Sequence, residues 1–171
     1  DQDFLSEVMK VADANHDGHI SVSEAKALTS LEISRDIYSI DGLEYFENLR
    51  SFTCPGHYIP SYLDLSCLEN LECLSVPDCN LTSLKLPEKI KHLDVSNNNL
   101  YSLDVGRCPL LETLDCSENQ YLVLLYLLVD NCIREINCDH TAINILDLTG
   151  FSSLQSLVFM NSTYSYLDKV I

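Results

Sequence analysis

Six residues between Asp13 and Glu24 have the types and spacing to hold a hard cation. The run Asp13-Ala-Asn15-His-Asp17-Gly18-His19-Ile20-Ser21-Val-Ser-Glu24 fits a twelve-residue calcium loop at every diagnostic position. Asp13, Asn15 and Asp17 would each supply a side-chain oxygen and His19 its carbonyl. Ser21 would supply a hydroxyl or a bridging water, Glu24 would supply a bidentate carboxylate, and Gly18 permits the sharp turn. Calcium is therefore the expected cofactor. Only one such loop is visible, and Ile20 lacks the second loop with which it would pair, so weak affinity is expected, roughly 10⁻⁵ to 10⁻³ M. The same letters admit a plainer reading, in which Ser21-x-x-Glu24 is a capping box that opens a short helix over SEAKAL. The two are compatible, because the ninth loop position normally caps the exiting helix.

The elements that would position this loop are short. Ahead of it, FLSEVMKVA predicts a helix with Leu5, Val8, Met9 and Ala12 on one face. Behind it, only Thr29 and Ser30 separate the exiting helix from Leu31, where a different pattern takes over. That pattern is plainest between Ile90 and Asn119, where the spacing L-x-x-L-x-L-x-x-N-x-L occurs twice, 21 residues apart. Position 1 falls at Leu28, Leu49, Leu71, Ile90, Leu111, Ile133 and Leu154, at intervals of 21, 22, 19, 21, 22 and 21.

Seven coils are therefore expected. Each would place positions 1, 4, 6 and 11 in a core, pair a short strand over positions 3 to 5 with the next coil, and bend at position 9, where an asparagine amide satisfies backbone groups left open by the turn. Apolar pairs such as Leu84/Leu86, Leu103/Val105 and Leu146/Leu148 would close the other side. Position 9 reads Asp36, His57, Cys79, Asn98, Asn119, Thr141 and Ser162, so a continuous asparagine ladder is absent. One coil cannot bury its own leucines, which makes the stack the folding unit. The expected fold class is thus an α/β solenoid, with residues 1–28 as an N-terminal helix-loop-helix cap and residues 28–171 as the repeat domain.

Outward strand positions define a candidate ligand-binding surface. Position 3 carries His92, Thr113 and Glu135, and position 5 carries Asp94, Asp115 and Asn137, with strands about 4.8 Å apart. The expectation is a polar, acidic site formed by His92, Asp94, Asp115, Glu135 and Asn137, set against an ordinary solvated face. Asp94 beside Asp115 is unfavourable unless solvated or met by a cation. The run Tyr121 to Val129 suggests a second surface. Aligned on the repeat, Tyr121, Leu124 and Tyr126 point inward, leaving Leu122, Val123, Leu125 and Leu127 outside as a self-association or partner surface, or else buried by a locally distorted coil.

Charge narrows the partners. Asp and Glu outnumber Lys and Arg 26 to 10, a net charge of -16, which argues against nucleic acid and anionic membranes. The longest apolar run has nine residues, about half a membrane span. The chain opens on Asp1 rather than Met, as a processed or trimmed chain would, so a signal or lipid anchor would fall outside this stretch.

Of eight cysteines, Cys54, Cys116 and Cys138 fall at inward position 6 and Cys79 at position 9, so mostly free thiols are expected. A nucleophile built on Cys54 with His57, or on Cys138-Asp139-His140, conflicts with those inward placements. Zinc at Cys132, Cys138 and His140 lacks a fourth ligand. Asn80-Leu-Thr82 and Asn161-Ser-Thr163 are glycosylation sequons by pattern only.

The phrases HLDVSNNNLYSLDV and TLDCSEN resemble bacterial secreted or surface-anchored leucine-rich-repeat proteins of internalin style, and DANHDGHISVSEAKALTSLEIS resembles an EF-hand or dockerin-like lead-in. The resemblance implies a right-handed leucine-rich-repeat superhelix with a concave parallel sheet that binds protein or glycan ligands outside the cytoplasm or at the cell surface. The expected function is a non-catalytic binding or adhesion module with a structural calcium-binding cap. Its alternatives are a dockerin-like module that docks through the EF-hand with the repeats as spacer, and, more distantly, a hydrolase on the concave face.

Overall fold

The computed structural model describes residues 2–128, 132–160 and the short strand at 169–170. The sequon at Asn161, position 9 at Ser162 and the end of the apolar run at Val129 lie outside the described residues. The chain is a solenoid of parallel strands. Seven three-residue strands, β1 (Ser30–Glu32), β2 (Ser51–Thr53), β4 (Cys73–Ser75), β6 (His92–Asp94), β8 (Thr113–Asp115), β10 (Glu135–Asn137) and β12 (Ser156–Val158), form one sheet in chain order. All six pairings are parallel and in register, so Leu31, Phe52, Leu74, Leu93, Leu114, Ile136 and Leu157 stack as neighbours. That column is position 4 of the repeat, and six turns of chain connect the seven strands. The stacked-coil solenoid read from the spacing is the fold observed, and it is the leucine-rich-repeat superhelix that the resemblance implied.

The opposite side of each turn carries shorter pieces: β3 (Tyr62–Asp64) with β5 (Ser83–Lys85), β7 (Ser102–Asp104) with β9 (Leu124–Tyr126), and β11 (Ile145–Leu146) with β13 (Lys169–Val170). Between the two sides lies a single apolar core running the length of the stack. Leu103, Val105 and Leu146 are buried in it, and Leu84, Leu86 and Leu148 pack against it partly buried.

Two columns turn the chain at the end of each concave strand. At position 8, Gly56, Asp78, Asn97, Glu118 and His140 all adopt positive φ, between 51° and 67°. This left-handed conformation aims each N–H at the carbonyl of the coil above, from Gly56 to Pro77, Asp78 to Ser96, Asn97 to Ser117, Glu118 to Asp139 and His140 to Met160, at 2.9–3.1 Å. The bends are thus tied to one another, at the steric cost that left-handed Glu and His carry.

At position 9 the amides are buried. Asn98 accepts from the N–H groups of Cys79 (3.1 Å) and Leu81 (2.9 Å) and donates to the carbonyls of Val76, Val95 and Ser96 at 2.9–3.1 Å. Asn119 accepts from Leu100 N–H and donates to Val95, Cys116 and Ser117. Where other residues occupy the column they reproduce part of this. The Cys79 thiol donates to Cys54 and Pro77 carbonyls, and the Thr141 hydroxyl to Cys138. The interrupted asparagine ladder is therefore continued by weaker donors.

Position 2, on the rim of the concave sheet, alternates in sign through Arg50, Glu72, Lys91, Glu112 and Arg134. Glu72 bonds to Arg50 at 2.5 Å and to Lys91 at 2.7 Å, and Arg134 lies 3.7 Å from Glu112. The ladder ties consecutive coils at the surface, where each pair contributes modestly.

The N-terminal cap is helix α1 (Gln2–Ala12), the loop, and helix α2 (Val22–Ala27). The buried face of α1 is Phe4, Glu7, Val8 and Ala12 rather than the Leu5/Val8/Met9/Ala12 face expected, and Leu5 is 52% exposed. The helix is rotated because Glu7 is drawn inward. Its carboxylate accepts from Ser34 N–H (3.1 Å) and Ser34 Oγ (2.7 Å), meets Arg35 Nε at 3.0 Å, and pairs with Lys10 one turn on. Asp3 adds a second contact to Arg35 at 3.1 Å. Glu7 thus fastens the cap to the chain leaving β1.

Candidate functional site

The loop between α1 and α2 curls so that its oxygens and amides face inward. Left-handed residues at His16 (φ 59°) and Gly18 (φ 83°) set the curve. Asp13, only 9% exposed, accepts from Asp17 N–H (3.2 Å) and Gly18 N–H (3.1 Å), while Asn15 Oδ1 accepts from Asp17 N–H and Asp17 Oδ1 from His19 N–H, both at 2.9 Å.

Glu24 closes the loop. Its Oε1 accepts from Ala14 and Asn15 N–H, and its Oε2 from Ser21 N–H (2.9 Å) and Ser21 Oγ (2.6 Å). The Ser21 bonds hold this carboxyl below the usual range. Ser21 Oγ in return accepts from Glu24 N–H, completing the capping box anticipated from Ser21-x-x-Glu24. The donor set is all oxygen and drawn from Asp13, Asn15, Asp17, Ser21 and Glu24, with the His19 backbone beside them, which is the chemistry a hard cation requires. In the described residues no three His, Cys, Asp or Glu side chains converge at metal-ligating distance. The loop is instead held by the hydrogen bonds that these oxygens make with its own amides.

On the concave sheet, the five residues predicted as a binding surface do line one groove of about 450 Å³. His92 and Glu135 are exposed, and Asp94, Asp115 and Asn137 half-buried. His92 Nδ1 sits 3.0 Å from Thr113 Oγ1. The adjacent carboxylates Asp94 and Asp115 are each held by partners of their own. Each pins its Oδ1 to the serine two residues on, Asp94 to Ser96 N–H and Oγ (3.1 and 2.7 Å), Asp115 to Ser117 N–H and Oγ (3.0 and 2.6 Å). The second oxygens then turn to opposite sides, Asp94 toward Ser75 at 3.4 Å and Asp115 to Asn137 Nδ2 at 2.9 Å. Asp64 repeats the motif on the far side of the coil, where Ser66 above all holds its carboxyl at about 2.

The second predicted surface is turned over. Leu122 is wholly buried, Leu125 and Leu127 pack against the core, and Val123 is half-buried. Tyr121, Leu124 and Tyr126, expected inside, are 63%, 42% and 52% exposed. One extra residue between Asn119 and Leu122 shifts the strand that follows, so Leu103 pairs with Leu125 and Asp104 with Tyr126. A one-residue slip exchanges the two faces of a strand. Leu122, Leu125 and Leu127 are therefore core-side residues of a regular coil, Val123 stays half-buried beside exposed Tyr101 of the coil before, and the exposed apolar groups there are Tyr121, Leu124 and Tyr126.

All eight cysteines are unbridged, and Cys54, Cys79, Cys108, Cys116 and Cys138 are buried. The bond with Cys79, then burial, raises the Cys54 thiol, and burial pushes Cys138 up to about 12. Neither is a ready thiolate.

No family model matches this sequence, and no curated protein matches it. In structure it is similar to the functional domain of InlJ from Listeria monocytogenes, described as including a cysteine ladder, at 17% identity and a TM-score of 0.43, covering 93% of this chain and 59% of that one. It is also similar to the internalin InlF from Listeria monocytogenes strain 4b F2365, at 17% identity and a TM-score of 0.38, covering 95% and 70%. The chain thus spans about three-fifths of the InlJ domain's length. The likeness is one of repeat architecture, which the strand register establishes independently here.

Proposed function

We propose that the chain is a non-catalytic binding or adhesion scaffold, working outside the cytoplasm or at the cell surface, whose concave sheet engages a protein partner. The carrying observation is the continuous seven-stranded concave face, where outward positions are polar and the formal charges of its strands, Glu32, Asp94, Asp115 and Glu135, are all negative. The basic residues of the neighbouring rim are already paired with Glu72 and Glu112. Such a surface favours a partner presenting Lys or Arg. No helix of the described residues is long and apolar enough to cross a membrane.

Peptide-display selection against the purified chain tests this. Enriched sequences should carry Lys or Arg, and their affinity should fall about tenfold in the double variant Asp94→Asn/Asp115→Asn and with added salt. Selected peptides that bind the double variant equally would overturn it.

For the cap, the proposal is a structural calcium site formed by Asp13, Asn15, Asp17, Ser21 and Glu24 with the His19 carbonyl. Bound calcium would neutralise the crowded carboxylates and replace the loop's internal amide bonds. Millimolar calcium should raise the melting temperature relative to EDTA, and Glu24→Ala should abolish that shift. An equal shift in the variant would place calcium elsewhere.

A further inference from the structure

The described tyrosines are all exposed, whereas Phe4, Phe46 and Phe52 are buried. Two of these tyrosines, Tyr38 and Tyr62, line a single open cleft of about 400 Å³ on the first two coils, away from the concave sheet. Both are held by contacts of their own. The Tyr38 ring lies 5.5 Å from the Tyr58 ring at a 42° tilt. The Tyr62 hydroxyl donates to Asp64 Oδ2 at 3.2 Å, an oxygen that also meets Lys85 Nζ at 3.2 Å. Asp41 and Glu44 complete the cleft with exposed carboxylates.

We propose that this cleft binds a neutral polysaccharide. A sugar ring has an apolar C–H face and a rim of hydroxyl donors. The cleft offers the complement of both. Tyrosine provides a broad, amphipathic contact surface at low entropic cost, and its cost falls further when its rotamer is already fixed. Asp41 and Glu44 are acceptors suited to hydroxyl donors.

The charge balance selects within ligand classes. A uronate or sulfated glycan would meet Asp41, Glu44 and Asp64 together on a chain of net charge -16. A cationic peptide would find only Asp41 and Glu44 open, because Lys85 already sits on Asp64, and its charged ends would leave the tyrosine faces unused. A neutral chain meets neither obstacle.

Native electrophoresis in gels containing a soluble β-glucan, xyloglucan or galactomannan, with polygalacturonate and polylysine as comparison probes, tests the proposal. The wild-type chain should be retarded by at least one neutral polymer and not by polygalacturonate. Tyr38→Ala and Tyr62→Ala should each weaken retardation about tenfold, while Tyr62→Phe retains most of it. Asp94→Asn/Asp115→Asn should leave retardation unchanged, which separates this site from the concave one. Three results would overturn it: no retardation by any neutral polymer, undiminished retardation of the folded alanine variants, or polylysine binding alone that is lost in those variants.

Discussion

Asn98→Ala is expected to destabilise the domain by about 4 kcal/mol, with an unchanged dependence on denaturant. The amide makes five hydrogen bonds at a site where Cys79, Leu81, Val76 and Val95 are wholly buried, so water cannot replace it. Each buried backbone group left open costs about 1–3 kcal/mol. Thr141→Val is the control, since that hydroxyl donates to the Cys138 carbonyl at 2.9 Å, and it should cost about 1 kcal/mol. Urea unfolding of the two variants measures the difference. A loss below about 1 kcal/mol for Asn98→Ala would show that the bend holds by its left-handed backbone alone.

The second large effect belongs to the cap. Lys10 above all, then Ser34 acting against burial, holds the Glu7 carboxyl at about 2, below its ordinary 4.5. A depressed carboxylate contributes stability that is complete above the unfolded value and is lost as pH falls from about 4.5 through about 2. Its partners Lys10 and Arg35 are about half exposed, which reduces the contribution to about 2 kcal/mol. Glu7→Gln should therefore lower stability by about 2 kcal/mol at pH 7 and flatten the loss between pH 5 and pH 2. Unfolding curves across that range check it. A Glu7→Gln chain with the wild-type acid profile would assign the acid sensitivity to other groups, Asp64 among them.

Most of the solenoid is legible in the sequence because its constraint is local. Leucine at positions 1 and 4 recurs whatever a distant segment does, and Asn98 and Asn119 mark the bends that their amides satisfy. The concave residues His92, Asp94, Asp115, Glu135 and Asn137 follow from the strand period alone. The coil from Leu111 misled because the register changes after Asn119, and in YLVLLYLLV every residue is apolar, so composition gives no sign of which face is which. Leu100 and Leu122, 22 residues apart, were the available signal. Glu7 was hidden for a different reason. Its partners Ser34 and Arg35 lie 27 and 28 residues on, across the loop, and a carboxylate is ordinarily assigned to the solvent face of a helix. The rim ladder was open to sequence reading, since Arg50, Glu72, Lys91, Glu112 and Arg134 share position 2.

That alternation of sign carries a rule about how such a chain can lengthen or shorten. Excising the coil that begins at Ile90 would set Glu72 beside Glu112, and excising the one that begins at Leu71 would set Arg50 beside Lys91. Removing or duplicating two coils together restores opposite neighbours throughout. The stack has a parity, and recombination between its repeats is least disruptive in even steps.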